Sequence, residues 1–319
     1  MNPPQPNLFE NALSRHLPIA LDGGLATELE ARGCDIGTSL WSAALLRSNP
    51  GAIVDAHRAY LEAGAEIIIS ASYQASVRGF TSTGLSVQEA EALIAGSVEL
   101  ACIARQQFCD AHPEINHTPI VAASIGPYGA ALHDGSEYTG EYDVDESGLR
   151  RFHEQRLSLL DQTNADVLAC ETIPNSLEAG VLCELLENVR LPAWVSFCCR
   201  DERLISDKTP LREVCAPFQG HPRVLALGVN CTAPDFVASL VGEIRKAAPD
   251  KAVIVYPNAG ETYDVSSNSW VGDRSSAAFV GFAEGWRAAG AMIIGGCCRI
   301  GPPQIAALSK TLQSSYAAT

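Results

Sequence analysis

Eight short apolar runs recur along the chain, separated by segments in which apolar residues return every three or four positions. The first four are PIALDGG (18–24), AEIIISASY (65–73), TPIVAASIGP (118–127) and ADVLACET (165–172). AWVSFCC (193–199), VLALGVNC (224–231), AVIVYPNAG (252–260) and AMIIGGCC (291–298) follow. Each is β-branched and nearly continuous, as strands buried on both faces should be. Among the intervening segments, NPGAIVDAHRAYLEAGA places Pro50 in a first helical turn and Gly64 at a stop. Helical spacing also runs through SVQEAEALIAGSVELACIARQQF, GLRRFHEQRLSLLDQT, SLEAGVLCELLENV, DFVASLVGEIRKAA, SSAAFVGFAEGWRAAG and PPQIAALSKTLQSS. Eight strands, each followed by helix, predict a single-domain α/β fold, a (β/α)8 TIM-type barrel over residues 11–319 after a flexible segment at 1–10. An open doubly wound sheet shares the alternation, but the glycine fingerprint of a dinucleotide site is absent.

Composition narrows the functional classes. With 47% hydrophobic and 18% charged residues the chain is ordinary globular protein. No apolar run approaches the roughly 20 residues that span a bilayer, and the N-terminus lacks a signal-peptide core. The formal charge of −15 repels phosphate backbones, which argues against nucleic acid, and it weakly favours a cationic small molecule. Eleven cysteines, an odd number in a long chain, fit reduced thiols in the cytoplasm better than a disulfide framework.

In a (β/α)8 barrel the chemistry collects at the C-terminal strand ends. There the sequence places Asp22-Gly23-Gly24, Ser70, Ser72, Tyr73, Ser124, Glu171, Asn230, Asn258 and several cysteines. The vicinal pair Cys297-Cys298 stands out, because neighbours on a strand point to opposite faces and fill a core poorly. With Cys231 it offers three thiolates around one point, the donor set of a catalytic zinc with an open fourth position. Gly295-Gly296 would let the backbone twist until both sulfurs face inward. Cys198-Cys199 forms a second vicinal pair without preceding glycines, and packing is the simpler reading there. No C-x-x-C occurs, and HEQRL at His153 lacks a metalloprotease helix's second histidine.

Taken together, LDGGLATELEARG, LWSAALL, ETIPN, GVNC, YPNAGETYD and GGCCR resemble the homocysteine S-methyltransferase family, in the expected order over nearly the whole chain. The LWSA segment and single-barrel length resemble the branch that uses S-methylmethionine. The resemblance implies one zinc on Cys231, Cys297 and Cys298, with Asp22 and Glu171 holding the homocysteine amino group and the backbone at Gly23 and Gly24 helping to place it. It implies methyl transfer from a sulfonium donor, S-methylmethionine before S-adenosylmethionine, to the homocysteine thiolate, giving methionine. Trp41 and Tyr73 are candidate ring faces for a cationic donor. Ser70, Asn230 and Asn258 are further candidate contacts. Two alternatives stay open: betaine as donor, and a thiol redox protein using the Cys297-Cys298 pair. The C-terminal tail does not resemble a dimerisation arm, so a monomer is expected.

Overall fold

Each apolar run becomes a strand because parallel neighbours cover its edges while the barrel interior and the helix layer cover its two faces. In chain order the strands are β1 (Ile19–Ala20), β2 (Ile67–Ile69), β3 (Ile120–Ile125), β4 (Val167–Ile173), β5 (Ala193–Phe197), β6 (Val224–Asn230) and β7 (Ala252–Tyr256). A small antiparallel hairpin of β8 (Thr262–Asp264) and β9 (Ser269–Val271) precedes β10 (Ile293–Ile294). This computed structural model describes residues 7–36, 44–260, 262–264, 269–271 and 275–314. The main sheet runs β1-β10-β7-β6-β5-β4-β3-β2, and a parallel bridge from Leu21 to Ile67 closes it into a barrel. All eight apolar runs therefore supply one barrel strand each.

Alternation along the strands builds two cores. Ile19, Ile67, Val167, Ala169, Trp194 and Ile254 point into the barrel. Leu168, Cys170, Val195, Leu227 and Val255 point out against the helices. The helix predicted at Pro50 runs Pro50–Glu62 with Asn49 as its N-cap, and Gly64 turns the chain at φ 91°. The β5–β6 connection departs from the repeat: its α-helix is only Leu211–Cys215. Among the described residues, no helix is long and apolar enough to cross a membrane.

The N-terminal segment differs from expectation. Residues expected to be flexible up to position 10 enter the helix Leu8–Ser14, closed by a capping box between Asn7 and Glu10. Its Phe9 is fully buried inside the barrel, with its ring 5.8 Å from that of Trp194. The helix thus plugs the barrel. Phe9→Ala should lower unfolding stability by about 3 kcal/mol, the usual cost of emptying an aromatic site. Urea denaturation measures this; an unchanged midpoint would mean that the plug carries no load.

Candidate metal centre and substrate cleft

Three sulfurs meet at the C-terminal mouth of the barrel. Cys231 follows the last residue of β6, while Cys297 and Cys298 follow β10. Their Sγ atoms are 2.7 Å (231–297), 3.9 Å (231–298) and 4.0 Å (297–298) apart. Among the described residues this is the one group of three metal-ligating side chains close enough to share an ion. A tetrahedral zinc with Zn–S bonds of about 2.3 Å needs sulfur separations of about 3.8 Å. Two edges match; the third would have to open by about 1 Å as an ion entered. The donor set therefore fits a soft or borderline divalent cation with one position left open.

The electrostatics favour such an ion. Hydrogen bonds from Cys231 and Cys297 hold Cys298 well below the usual thiol range. Cys231 is pushed up by the hydrogen bonds it makes to Cys297 and Cys298, and then by burial. Cys297 also rises, because the bond to Cys298 and burial outweigh the favourable bond from Cys231. Alone, the cluster stabilises one thiolate among three sulfurs. A divalent cation removes that limit, since coordination deprotonates thiols outright.

How the two vicinal sulfurs reach the mouth differs from the sequence expectation. Neither Gly295 nor Gly296 adopts a left-handed φ; the turning occurs at Cys231 (φ 48°) and Arg299 (φ 69°). The two glycines supply room instead. A Cβ on Gly295 would stand 2.6 Å from the Asp22 carbonyl oxygen, and one on Gly296 would stand 2.3 Å from the Ile300 side chain. Gly23 and Gly24 face the same crowding, with Cβ positions 2.4 Å from Ile300 O and 2.6 Å from Cys297 O. Gly24 N–H already donates to Ile300 O at 2.9 Å. The cysteine loop is locked down further by Cys297 N to Pro257 O at 2.8 Å and Arg299 N to Thr27 Oγ1 at 2.9 Å.

Asp22 and Glu171 are both buried at the same mouth, 2% and 6% exposed. Ile69 N–H donates to Asp22 Oδ2 at 2.8 Å, while Asp22 Oδ1 is buried without a partner. Ser124 Oγ donates to Glu171 Oε1 in a short contact. Burial pushes Glu171 up to about 7. Asp22 is also raised, by burial first and then by the neighbouring Glu171 charge, against the opposing Ile69 N–H. The buried cation that acts on Glu171, Arg156, spends its Nη atoms on the carbonyls of Gly126, Ser72 and Tyr73. Two carboxylates and an unpaired acceptor thus call for a cationic hydrogen-bond donor.

An open cleft joins the sulfurs to Glu171; Gly23, Gly24, Ser70, Tyr73 and Asn230 also line it, while Asp22 is not among the lining residues. Ser70 is partly spent, with its Oγ 2.8 Å from Ser72 Oγ and accepting from Ser124 N at 3.1 Å. Asn230 is fully buried and bonded to Thr172 and Ser196. Asn258 is not among the lining residues, and its N–H donates to Thr232 O at 3.1 Å. Trp41 lies outside the described residues. Cys198 and Cys199 are buried, in keeping with packing. Sequence reading missed Thr27, Tyr138 and Tyr256, which also line the cleft. For Tyr138 the available signal was the aromatic residue in the DGSEYTG loop after β3.

Known proteins share this arrangement of chain and fold. The family profile described as homocysteine S-methyltransferase matches residues 19–312. Homocysteine S-methyltransferase 2 of Zea mays is 46% identical over 309 residues, covering 93% of this chain and 90% of its own. Homocysteine S-methyltransferase of Escherichia coli is 44% identical over 306 residues, covering 95% and 98%. A crystal structure of the E. coli homocysteine methyltransferase MmuM in its metallated form superposes with a TM-score of 0.85 at 42% identity, covering 96% of this chain and all of that one. With sequence and fold in agreement across the barrel, the chain belongs to the homocysteine S-methyltransferase family.

Proposed function

We propose that this chain is a zinc-dependent methyltransferase that moves a methyl group from a sulfonium donor, S-methylmethionine, to the thiolate of L-homocysteine. The observation that carries this reading is the placement of three cysteine sulfurs and the Glu171 carboxylate in one cleft, with the buried Asp22 next in sequence to its Gly23-Gly24 wall. Bound by Cys231, Cys297 and Cys298, zinc supplies the positive charge that keeps a thiol ionised at neutral pH, together with one open coordination position. Family membership and the metallated state of the E. coli relative support a metal at this point.

The chain's own residues do the rest. Asp22 and Glu171, once ionised, accept hydrogen bonds from the substrate ammonium, and Asp22 Oδ1 is the acceptor without another partner. With the amino end held there, the thiol end reaches toward the sulfur cluster. The leaving group of a sulfonium is a neutral thioether, so no general acid is needed, and positioning carries much of the rate. Tyr73 and Tyr138 line the cleft and offer ring faces to a positive donor. The products are two molecules of methionine. The free thiols support a reducing compartment, the cytoplasm.

The protein should purify with about one zinc per chain and form methionine from homocysteine and S-methylmethionine. Cys298→Ser should lose most of the metal and at least about a hundredfold in activity, beyond what outer-shell changes cost. Metal analysis beside a methionine assay checks both. Full activity at normal zinc content in the variant, or a metal-free wild type with a disulfide among these sulfurs, would contradict the assignment.

Glu171→Gln separates binding from folding. Losing a charge-assisted hydrogen bond worth about 1.5–3 kcal/mol should raise the homocysteine KM about tenfold to a hundredfold. In the wild type this KM should fall as pH rises through about 7, where Glu171 ionises. Stability should run the other way. The folded pKa of about 7 exceeds the ordinary 4.5, so the contribution of Glu171 is fully present below 4.5 and lost as pH rises through 7. Glu171→Gln lacks that slope, so its urea midpoint relative to wild type should rise between pH 5 and pH 8. A difference independent of pH would show that the buried charge costs nothing.

A further inference from the structure

The HEQRL segment, which lacks a metalloprotease helix's second histidine, has another use. It lies on the helix Glu146–Asp161, whose buried face carries His153 and Arg156. Arg156 is 2% exposed, yet it spends its hydrogen bonds on main-chain carbonyls instead of carboxylates. Nη1 donates to Gly126 O at 2.7 Å, while Nη2 donates to Ser72 O at 3.0 Å and Tyr73 O at 2.9 Å. Its guanidinium also lies over the Phe152 ring, 5.2 Å from the centroid. Burial pulls its pKa down to about 10, so it stays charged at neutral pH. Charged donors in dry surroundings make strong, directional hydrogen bonds.

What this fork holds is the join between two strand ends. β2 and β3 pair as far as Ile69 and Ala122, and Ser70 N still donates to Ala122 O at 2.9 Å. Beyond that point side chains replace the ladder. Ser72 Oγ donates to Ser124 O at 2.8 Å, and Arg156 ties Ser72 and Tyr73 to Gly126. Gly126 completes the seat: a Cβ there would stand 2.5 Å from Tyr73 O and 2.8 Å from ring carbon Cδ2. The Tyr73 ring therefore lies directly on bare backbone. Tyr73 lines the cleft together with Cys231, Cys297 and Cys298.

We propose that Arg156 is a positioning residue: its fork fixes the Tyr73 ring in the cleft and thereby sets the affinity for the cationic methyl donor. The inference rests on the function proposed above. A ring face attracts a cation within about 6 Å of its centroid, and a desolvated contact is worth up to about thirtyfold in affinity. Loosening the Tyr73 loop weakens donor binding first, because Glu171 stands on β4 and the sulfurs follow β6 and β10, none of which Arg156 bonds. The sulfonium loses its charge as the methyl leaves. The ring contact is therefore strongest before the transition state, and it acts on donor KM more than on kcat.

The test measures KM for S-methylmethionine and for homocysteine, with kcat, zinc content and melting midpoint, in wild type, Arg156→Lys, Tyr73→Leu and the double variant. Lysine keeps the charge but offers a single nitrogen in place of the planar fork. Arg156→Lys should raise donor KM about fivefold to thirtyfold, with homocysteine KM and kcat each within about twofold and about one zinc per chain. Tyr73→Leu should raise donor KM by at least as much. In the double variant the two effects should not add, since Arg156 acts through the ring that leucine has removed. If Arg156→Lys fails to fold, Arg156→Gln decides, since it buries no charge and keeps amide donors. An unchanged donor KM in the folded variants overturns the proposal. So do additive effects in the double variant, or equal rises in donor and homocysteine KM. A wild type that makes no methionine from S-methylmethionine and homocysteine would refute the underlying function and the inference with it. An active wild type with unmoved variants would refute the inference alone.

Discussion

Barrel closure is the constraint on which the site depends. Cys231 lies 66 residues from Cys297 in sequence, yet their sulfurs approach to 2.7 Å because β10 lies between β7 and β1 and β7 pairs with β6. The Leu21–Ile67 bridge completes the ring and brings Asp22, at the end of the β1 segment, within Coulombic reach of Glu171 beyond the middle of β4. No local segment could assemble these groups. The helix around Phe9 supports the ring from within, so the N-terminal region belongs to the architecture that sets the cleft.

The site is assembled against the preferences of its own residues. Asp22 and Glu171 are buried carboxylates with raised pKa values, and Cys231 and Thr172 both hold left-handed backbone. Each departure is unfavourable in isolation and persists only where surrounding contacts over-determine it. Those contacts are visible: Ile69 N–H and Ser124 for the carboxylates, Asn230 for Thr172, and the Pro257 carbonyl for the cysteine loop. Binding an ammonium between the carboxylates and a cation among the sulfurs would relieve opposite halves of the same strain. Ligand affinity is thereby linked to fold stability.

Much of this was legible in the sequence. The eight apolar runs mark the barrel because strands buried on both faces need no polar alternation. Asp22, Glu171, Asn230 and the three cysteines could be read because they sit at run ends, where a barrel collects its chemistry. Tyr138 was hidden because it comes from a loop beyond β3 and carries no periodicity. The left-handed turns at Thr172 and Cys231 were hidden for another reason: neither residue type advertises positive φ, and the compensating bonds come from a distant strand. Gly295-Gly296 signalled a special backbone correctly but not its cause, which is close approach of Asp22 and Ile300 and not a twist. The capping box at Asn7 and Glu10 was present in the sequence and pointed to the helix that the polar, proline-rich start obscured.

Zinc K-edge X-ray absorption on the purified protein, before and after addition of homocysteine, tests the central claim most directly. The account predicts three sulfur neighbours at about 2.3 Å and one lighter neighbour in the free enzyme, changing to four sulfurs when the thiol binds. Fewer than three sulfurs at the start, or a coordination shell unchanged by homocysteine, would contradict it.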